Sequence, residues 1–242
     1  MPSRGAIVLA GGLGSRIKHL HPDLPKPLIE VGSRPFIEWV IDYLASQGYR
    51  DVVVSAGHLS QAMSDYFAKR PPVGWPVQVV VEPQALGTGG ATLFAADSMV
   101  GFDPLLVANG DSIVLADLGQ AHDRMVDPSI DGVLVGVRVK DASRFGSLEL
   151  DAEGWLAGFR EKGAGSGLVN AGLYLLRHRL LATFPRGVNL SLERDLIPSL
   201  LSRGARITVC EVDAPFLDIG TPESLAQATV FVQQHLIGEG LS

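Results

Sequence analysis

Three glycines within four positions, followed by an arginine, form the most distinctive local pattern of this chain. The run GGLGSR (Gly11–Arg16) directly follows an apolar stretch that is typical of a buried strand. Glycine lets the backbone turn sharply and approach a ligand closely, and consecutive backbone N–H groups can then bind phosphate oxygens. The planar guanidinium of Arg16 also suits phosphate. The run is therefore a candidate phosphate loop, although a tight strand-to-helix turn would use the same residues.

The loop differs from two common phosphate-binding loops. Ile17 stands where the last glycine of Gly-x-Gly-x-x-Gly would be, and the Gly-Lys-Ser/Thr ending of a P-loop is missing. Further on, Lys26 lies between Pro25 and Pro27, and the two prolines predict a stiff, extended segment. A lysine held in this way could bind a buried anion; a surface lysine in a turn is the alternative.

Two aspartates stand next to predicted secondary structure. Asp111 ends the run Asn109-Gly110-Asp111 after an apolar strand, and Asp218 shortly precedes the last predicted helix. An isolated Asn-Gly-Asp is usually only a turn. At the carboxyl end of a buried strand it is a candidate ligand-binding segment. Two carboxylates can hold Mg²⁺ against phosphate oxygens. The histidines are not paired at zinc spacing, so no zinc site is expected.

The elements that position these residues follow an alternating pattern in the first half of the chain. Continuous apolar runs separated by helical patterns predict an α/β fold with a parallel sheet that is buried on both faces. Such sheets bind ligands beyond the carboxyl ends of their strands, where the glycine run and Asp111 lie. The predicted strands are Ala6–Ala10, Val52–Ala56, Val77–Val81 and Leu105–Ala108, with helices over Phe36–Ser46 and Ser60–Phe67.

The second half is more mixed, and no linker divides the chain, so residues 1–242 are predicted to form a single domain. Pro71–Gly74 and Gly163–Gly167 are predicted loops. Pro222 suits the first turn of the last helix. The predicted strands are Gly132–Val139 and Leu168–Leu176, with a hairpin of Ser147–Leu150 and Trp155–Phe159 and helices over Leu192–Leu201 and Pro222–His235.

Composition excludes several classes of protein. Of 242 residues, 46% are hydrophobic and 19% charged, which is typical of a globular chain, and the net charge of −6 argues against a nucleic-acid partner. The single cysteine, Cys210, allows no disulfide within the chain. No apolar stretch reaches 18 residues, so no membrane span is expected. We therefore expect a cytoplasmic protein, and whether it forms a homo-oligomer stays open.

The GGLGSR run together with PKPL (Pro25–Leu28) resembles the signature of the sugar-1-phosphate nucleotidylyltransferases, which usually have Thr in place of Ser15. The resemblance implies a Rossmann-like fold of the glycosyltransferase A type, with a central, mostly parallel mixed sheet. It also implies that Arg16, Lys26 and Asp111 are catalytic and that Asp111 and Asp218 bind Mg²⁺. The nucleotide-binding residues that it implies are Leu9, Ala10, Gly11, Gly12, Gly14, Ser15, Arg16, Lys26, Glu82, Leu86, Gly87, Thr88, Asn109 and Gly110.

Glu82 is the residue that the resemblance places against the base. Many uridylyl- and thymidylyltransferases have Gln there, whereas an ionised Glu can only accept hydrogen bonds. Guanine offers two adjacent donors, N1–H and N2–H₂, so Glu82 points towards GTP. In the alternative, Glu82 turns to solvent and backbone groups of Ala85–Gly87 contact the base.

The sugar phosphate is expected beside Gly146, Glu161, Lys162, Asn170 and Gly172, again by resemblance. The segments 86–90, 170–174 and 190–193 are similar to short bacterial guanylyltransferases that act on D-glycero-α-D-manno-heptose 1-phosphate and serve surface polysaccharide synthesis. Mannose 1-phosphate guanylyltransferase and N-acetylmuramate 1-phosphate uridylyltransferase are alternatives within the family. A module that senses nucleotide sugars without turnover is the alternative of another class, and the missing third glycine disfavours a Rossmann dehydrogenase.

Overall fold

The computed structural model describes residues 4–70, 76–160 and 165–237. The strands are β1 Arg4–Leu9, β2 Glu30–Val31, β3 Arg34–Pro35, β4 Tyr49–Ala56, β5 Val77–Val81, β6 Leu105–Asn109, β7 Ser112–Val114, β8 Gly132–Val139, β9 Ser147–Leu150, β10 Leu156–Arg160, β11 Gly167–Leu176, β12 Ile207–Val212 and β13 Phe216–Asp218. The α-helices are α1 Phe36–Ser46, α2 Ser60–Lys69, α3 Gly87–Ala96, α4 Gly119–Arg124, α5 His178–Leu181, α6 Ile197–Ser202 and α7 Pro222–Val232.

Among the described residues, nine strands form one mixed sheet. Strands β6, β1, β4 and β5 are parallel neighbours, and β12 is parallel to β8. The long strand β11 joins these two groups, because it pairs antiparallel with both β6 and β8. The hairpin of β9 and β10 adds to β11. The predicted Rossmann-like α/β fold with a mixed sheet is therefore confirmed.

The core covers both faces of the sheet. Side chains alternate along β1, so that Ala6 and Val8 pack into one hydrophobic cluster while Ile7 and Leu9 pack into another. Helix α1 contributes Phe36 to the first cluster. Burial on both sides explains why the parallel strands are continuously apolar.

Two predicted helices differ in detail from the observed ones. The stretch predicted as Leu192–Leu201 is a π-helical turn, Leu192–Leu196, followed by α6. Pro198 offers no N–H for a regular helical hydrogen bond. In the π-helical turn before it, Leu196 N donates to Ser191 O, five residues earlier in the chain, at 2.9 Å. The last helix begins at Pro222 as predicted, after a capping box at Thr221, but the α-helix ends at Val232 and Gln233–Ile237 forms a π-helical turn. In the part of the chain that the structure describes, no helix is long and apolar enough to cross a bilayer.

Several elements were not predicted. The start of α3 reads as a glycine-rich loop, because glycine is a poor helix former. The ribbon of β7 and β13 consists of three-residue strands, which are too short for a periodic signal. The predicted loop at Pro71–Gly74 and the first residues of the one at Gly163–Gly167 lie outside the described residues.

Candidate active site

A cleft of about 480 Å³ lies at the carboxyl ends of β1, β5 and β6. The structure thus brings together the residues that follow separate strands, as expected for an open α/β sheet. Gly110 alone of the predicted nucleotide-binding residues does not line it; its N–H donates to Leu9 O at 2.9 Å beneath the cleft. The predicted residues that line the cleft are Leu9, Ala10, Gly11, Gly12, Gly14, Ser15, Arg16, Lys26, Glu82, Leu86, Gly87, Thr88, Asn109 and Asp111.

The glycine loop forms one wall of the cleft. Gly14 has a φ of +59°, which favours glycine, and a Cβ at Gly11 would overlap the Glu82 carboxylate. Arg16 is exposed and has no hydrogen bond or ion pair with any described residue. Its guanidinium is therefore free to bind an anion in the cleft.

The end of β4 supports this loop from below, which the sequence analysis missed. Ser55 O accepts from Ala10 N at 2.8 Å, and His58 N donates to Gly11 O at 3.3 Å. A Cβ at Gly57 would lie 3.0 Å from Gly11 O, so only glycine fits there without displacement. The glycine that directly follows the predicted strand was the available signal.

Glu82 lies deep in the cleft with only 8% of its surface exposed. Burial raises the pKa of the Glu82 carboxyl, while hydrogen bonds from Ser55 and Leu86 lower it. The Ser55 hydroxyl donates to Oε1 at 3.0 Å. Two carboxylate oxygens offer about four acceptor positions. Glu82 can therefore accept further hydrogen bonds, and contact with the base stays a prediction.

The glycines after Glu82 allow close contact between their loop and another segment of the protein. Gly89 N donates to Leu190 O at 2.7 Å, and Leu190 N donates to Leu86 O at 2.8 Å. A Cβ at Gly87 would lie 2.5 Å from Leu190 O. The segment also brings Asn189 into the cleft, where its side chain donates to Ala85 O at 2.8 Å. Sequence reasoning did not identify Asn189.

Lys26 and Asp111 form an ion pair at the floor of the cleft. Lys26 Nζ lies 2.7 Å from Asp111 Oδ2, and the two side chains are 12% and 35% exposed. The prediction of an extended segment at Lys26 is wrong, because Lys26–Leu28 forms a 3₁₀ turn in which Leu28 N donates to Pro25 O at 2.8 Å. The turn directs Lys26 towards Asp111.

The β7–β13 ribbon brings the two predicted metal ligands together. Asp218 pairs with Ser112, the neighbour of Asp111, and Ile219 N donates to Asp111 O at 3.0 Å. Burial and the negative charge of Asp111 raise the pKa of Asp218, while Lys26, the Gly220 N–H and Arg144 lower it. Two carboxylates that repel each other in this way favour a bound cation.

The donor set fits Mg²⁺. Within the described ranges, no group of three or more His, Cys, Asp or Glu residues could hold a metal. Mg²⁺ does not need one, because it usually combines one or two carboxylates with substrate phosphates and water. Asp111 and Asp218 would supply these carboxylates.

Three of the predicted sugar residues, Gly146, Asn170 and Gly172, are described, and none of them lines the cleft. Asn170 N donates to Gly146 O at 3.4 Å, which joins two of them. Gly172 has a φ of +79°, and a Cβ there would lie 2.8 Å from Asn109 Nδ2. Glu161 and Lys162, which follow β10 directly, lie outside the described residues.

This geometry agrees with comparisons to known proteins. Residues 5–235 match the family described as nucleotidyl transferase. The chain belongs to this family. The family resemblance seen in the sequence is thereby confirmed, and so is the class of enzyme.

Three similar proteins bear on the nucleotide and the sugar. The chain is 31% identical to the D-glycero-alpha-D-manno-heptose 1-phosphate guanylyltransferase of Campylobacter jejuni, over 90% of this chain and 95% of the relative. It is 31% identical to the mannose-1-phosphate guanylyltransferase of Mycobacterium tuberculosis, over 93% of this chain but only 63% of that relative's length. The crystal structure of HddC from Yersinia pseudotuberculosis complexed with GMP-PN superimposes with a TM-score of 0.84 at 31% identity, over 94% and 98% of the two chains.

Proposed function

We propose that this nucleotidyl transferase moves GMP from GTP to a sugar 1-phosphate, most favourably D-glycero-α-D-manno-heptose 1-phosphate, with release of pyrophosphate. The observation that carries the proposal is the cleft in which the glycine loop, Lys26 and Asp111 meet, with Asp218 brought next to Asp111 by the β7–β13 ribbon. The match over 95% of a heptose 1-phosphate guanylyltransferase supports the choice of sugar. The similar structure that was solved with GMP-PN supports the choice of base.

The reaction needs no general base, because a sugar 1-phosphate is already an anion at neutral pH. One of its oxygens attacks the α-phosphorus in line; the new P–O bond forms as the bond to the β-phosphate oxygen breaks. The electron pair leaves with pyrophosphate. The protein therefore contributes positioning and charge neutralisation.

Charge neutralisation falls first to residues of the cleft. Arg16, which has no partner among the described residues, would hold the triphosphate together with the glycine loop. Lys26 would contact a phosphate oxygen, because Asp111 keeps Nζ at the floor of the cleft. When bound by Asp111 and Asp218, Mg²⁺ would supply further neutralisation of phosphate charge. Lys162 is proposed to hold the sugar phosphate.

Mannose 1-phosphate is the second candidate acceptor, since the mannose-1-phosphate guanylyltransferase is equally identical in sequence. This chain spans only 63% of that relative's length. A module that senses nucleotide sugars without turnover is disfavoured, because Lys26, Asp111 and Asp218 are all present and adjacent.

Pyrophosphate release tests the proposal directly. The purified protein is assayed with the four NTPs and dTTP against a panel of sugar 1-phosphates, with and without Mg²⁺. We expect GTP with the heptose 1-phosphate to give the highest kcat/KM. Highest activity with mannose 1-phosphate would reassign the sugar, and preference for UTP or dTTP would overturn the guanylyl assignment. No release with any pair would exclude the reaction.

A further inference from the structure

A series of hydrogen bonds runs from the nucleotide side of the cleft to strand β11. Thr88 Oγ1, at the cleft wall, donates to Glu193 Oε2 at 3.4 Å, and Tyr174 Oη donates to Glu193 Oε1 at 2.6 Å. Asn170 Nδ2 donates to Tyr174 Oη at 2.6 Å, and Gly172 N donates to Asn170 Oδ1 at 3.0 Å. We refer to these five residues as the Glu193 relay.

The Gly172 N–H and the Glu193 carboxylate fix the direction of the hydrogen bonds between them. A backbone N–H can only donate, so Asn170 must turn Oδ1 towards Gly172. A carboxylate can only accept, so Tyr174 must donate to Glu193. Burial and the Glu193 charge raise the pKa of Tyr174 well above its ordinary value, which keeps its hydroxyl protonated. The Asn170 amide therefore has one orientation, with one N–H and one lone pair still available.

A β-bulge follows Asn170 in β11. The register of β11 against β8 shifts between Asn170 and Tyr174, and bulges often redirect a side chain beside an active site. A Cβ at Gly172, within the bulge, would lie 2.7 Å from Ser112 Oγ. The bulge thus packs against the turn that carries Asp111.

We propose that Glu193 and Tyr174 are positioning residues for the sugar 1-phosphate and act through Asn170, whose remaining N–H and lone pair bind one hydroxyl of the sugar. The inference rests on the proposed function. A sugar hydroxyl can accept from the Asn170 N–H and donate to the Asn170 oxygen at the same time. If the amide turned over, its donor and its acceptor would exchange places. The Tyr174 hydroxyl bonds to Asn170 and Glu193 rather than to Thr88, so its loss should affect the sugar 1-phosphate and not the nucleotide.

The test compares two buried tyrosines in the full-length protein. Tyr174→Phe removes a relay hydroxyl, whereas Tyr43→Phe removes a buried hydroxyl that donates to Ala116 O at 2.9 Å outside the relay. Loss of one positioning hydrogen bond should raise the KM for the sugar 1-phosphate about tenfold in Tyr174→Phe. The KM for GTP and kcat should stay unchanged, and Tyr43→Phe should change none of the three. An equal rise in both KM values, or no rise, would overturn the inference.

Two further variants keep the test informative if Tyr174→Phe folds poorly. Glu193→Ala removes the acceptor for the Tyr174 hydroxyl and should also raise the KM for the sugar 1-phosphate. Glu193→Gln keeps an oxygen for Tyr174 and should return this KM to its wild-type value. In an Asn170→Ala background, Tyr174→Phe should have no additional effect; an additional rise would show that Tyr174 acts by another route. Wild-type protein without turnover on any sugar 1-phosphate would overturn the proposed function as well, whereas normal turnover with unshifted KM values overturns only the relay.

Discussion

Charge balance at the floor of the cleft rests on a few side chains. Lys26 offsets Asp111, and Arg144 Nη2 lies 3.3 Å from Asp218 Oδ1. A polyphosphate that enters the cleft offers Lys26 a second anionic partner, and a cation between the aspartates relieves their repulsion. Binding of nucleotide and metal should therefore reinforce each other.

Asp111→Asn should lower kcat/KM on the order of 10²–10³-fold, because it removes a charged ligand from the site of phosphoryl transfer. The melting temperature should change little, since a partly exposed ion pair contributes only about 1 kcal/mol. Steady-state kinetics and thermal denaturation measure both effects. Asp97→Asn is the control, because it breaks an ion pair with Arg186 outside the cleft. Wild-type activity in Asp111→Asn would remove this residue from the mechanism.

Glu82→Gln should narrow the preference for GTP over UTP. The amide keeps one acceptor for Ser55 and replaces the other by a donor, which suits uracil better than guanine. A lost hydrogen bond to a charged group costs ~1.5–3 kcal/mol, which is roughly a tenfold to hundredfold change in the kcat/KM ratio. Ser55→Ala removes the neighbouring donor but leaves the carboxylate and should preserve the ratio. An unchanged ratio in Glu82→Gln would show that backbone groups select the base.

At the scale of elements, the first turn of α3 is held by the segment that precedes the π-helical turn. Backbone hydrogen bonds join Leu86, Gly89 and Gly90 to Leu190, and the Gln84 side chain donates to Gly187 O at 2.8 Å. The N–H groups of Gly89 and Gly90 are thereby used within the protein. The loop that is predicted to contact the base thus depends on a segment remote in sequence.

Gly87→Ala should destabilise the protein by about 2 kcal/mol more than Gly154→Ala, since only the first adds steric overlap. Both glycines have positive φ, +68° and +87°, so both variants carry backbone strain. A Cβ at Gly154 meets nothing within 4 Å, whereas one at Gly87 would lie 2.5 Å from Leu190 O. Urea denaturation compares the two free energies of unfolding. Gly87→Ala should also raise the KM for GTP. Equal effects of the two variants would show that the close contact of Gly87 with Leu190 does not matter.

For the whole molecule, sequence reasoning succeeded where local residues determine the structure. Val77–Val81 and Gly132–Val139 have the predicted bounds, because valine dominates both runs and only Gln78 and Arg138 interrupt them with a polar side chain. It missed features that depend on tertiary contacts, such as the support of Gly11 by the end of β4 and the three-residue strand at Phe216–Asp218. Asn189 enters the cleft only because Leu190 binds α3, and no pattern in the sequence indicates that contact.

GTP with Mg²⁺ should stabilise the whole protein. A ligand at a hundred times its Kd adds about 2.7 kcal/mol, which is roughly 5–11 °C in melting temperature for a chain of this length. Differential scanning fluorimetry with EDTA in place of Mg²⁺ should show a smaller shift, and Asp218→Asn should lose the difference between the two conditions. A shift that is independent of Mg²⁺ in the wild type would contradict the metal site.

The β7–β13 ribbon also determines when the active site can be completed during synthesis of the chain. Asp218 is synthesised 107 residues after its neighbour Asp111. The two carboxylates become adjacent only when β13 pairs with β7, a contact of long sequence separation that is slow to form. A nascent chain that has already assembled β1, β4, β5 and β6 therefore has a complete glycine loop but only half of the carboxylate pair.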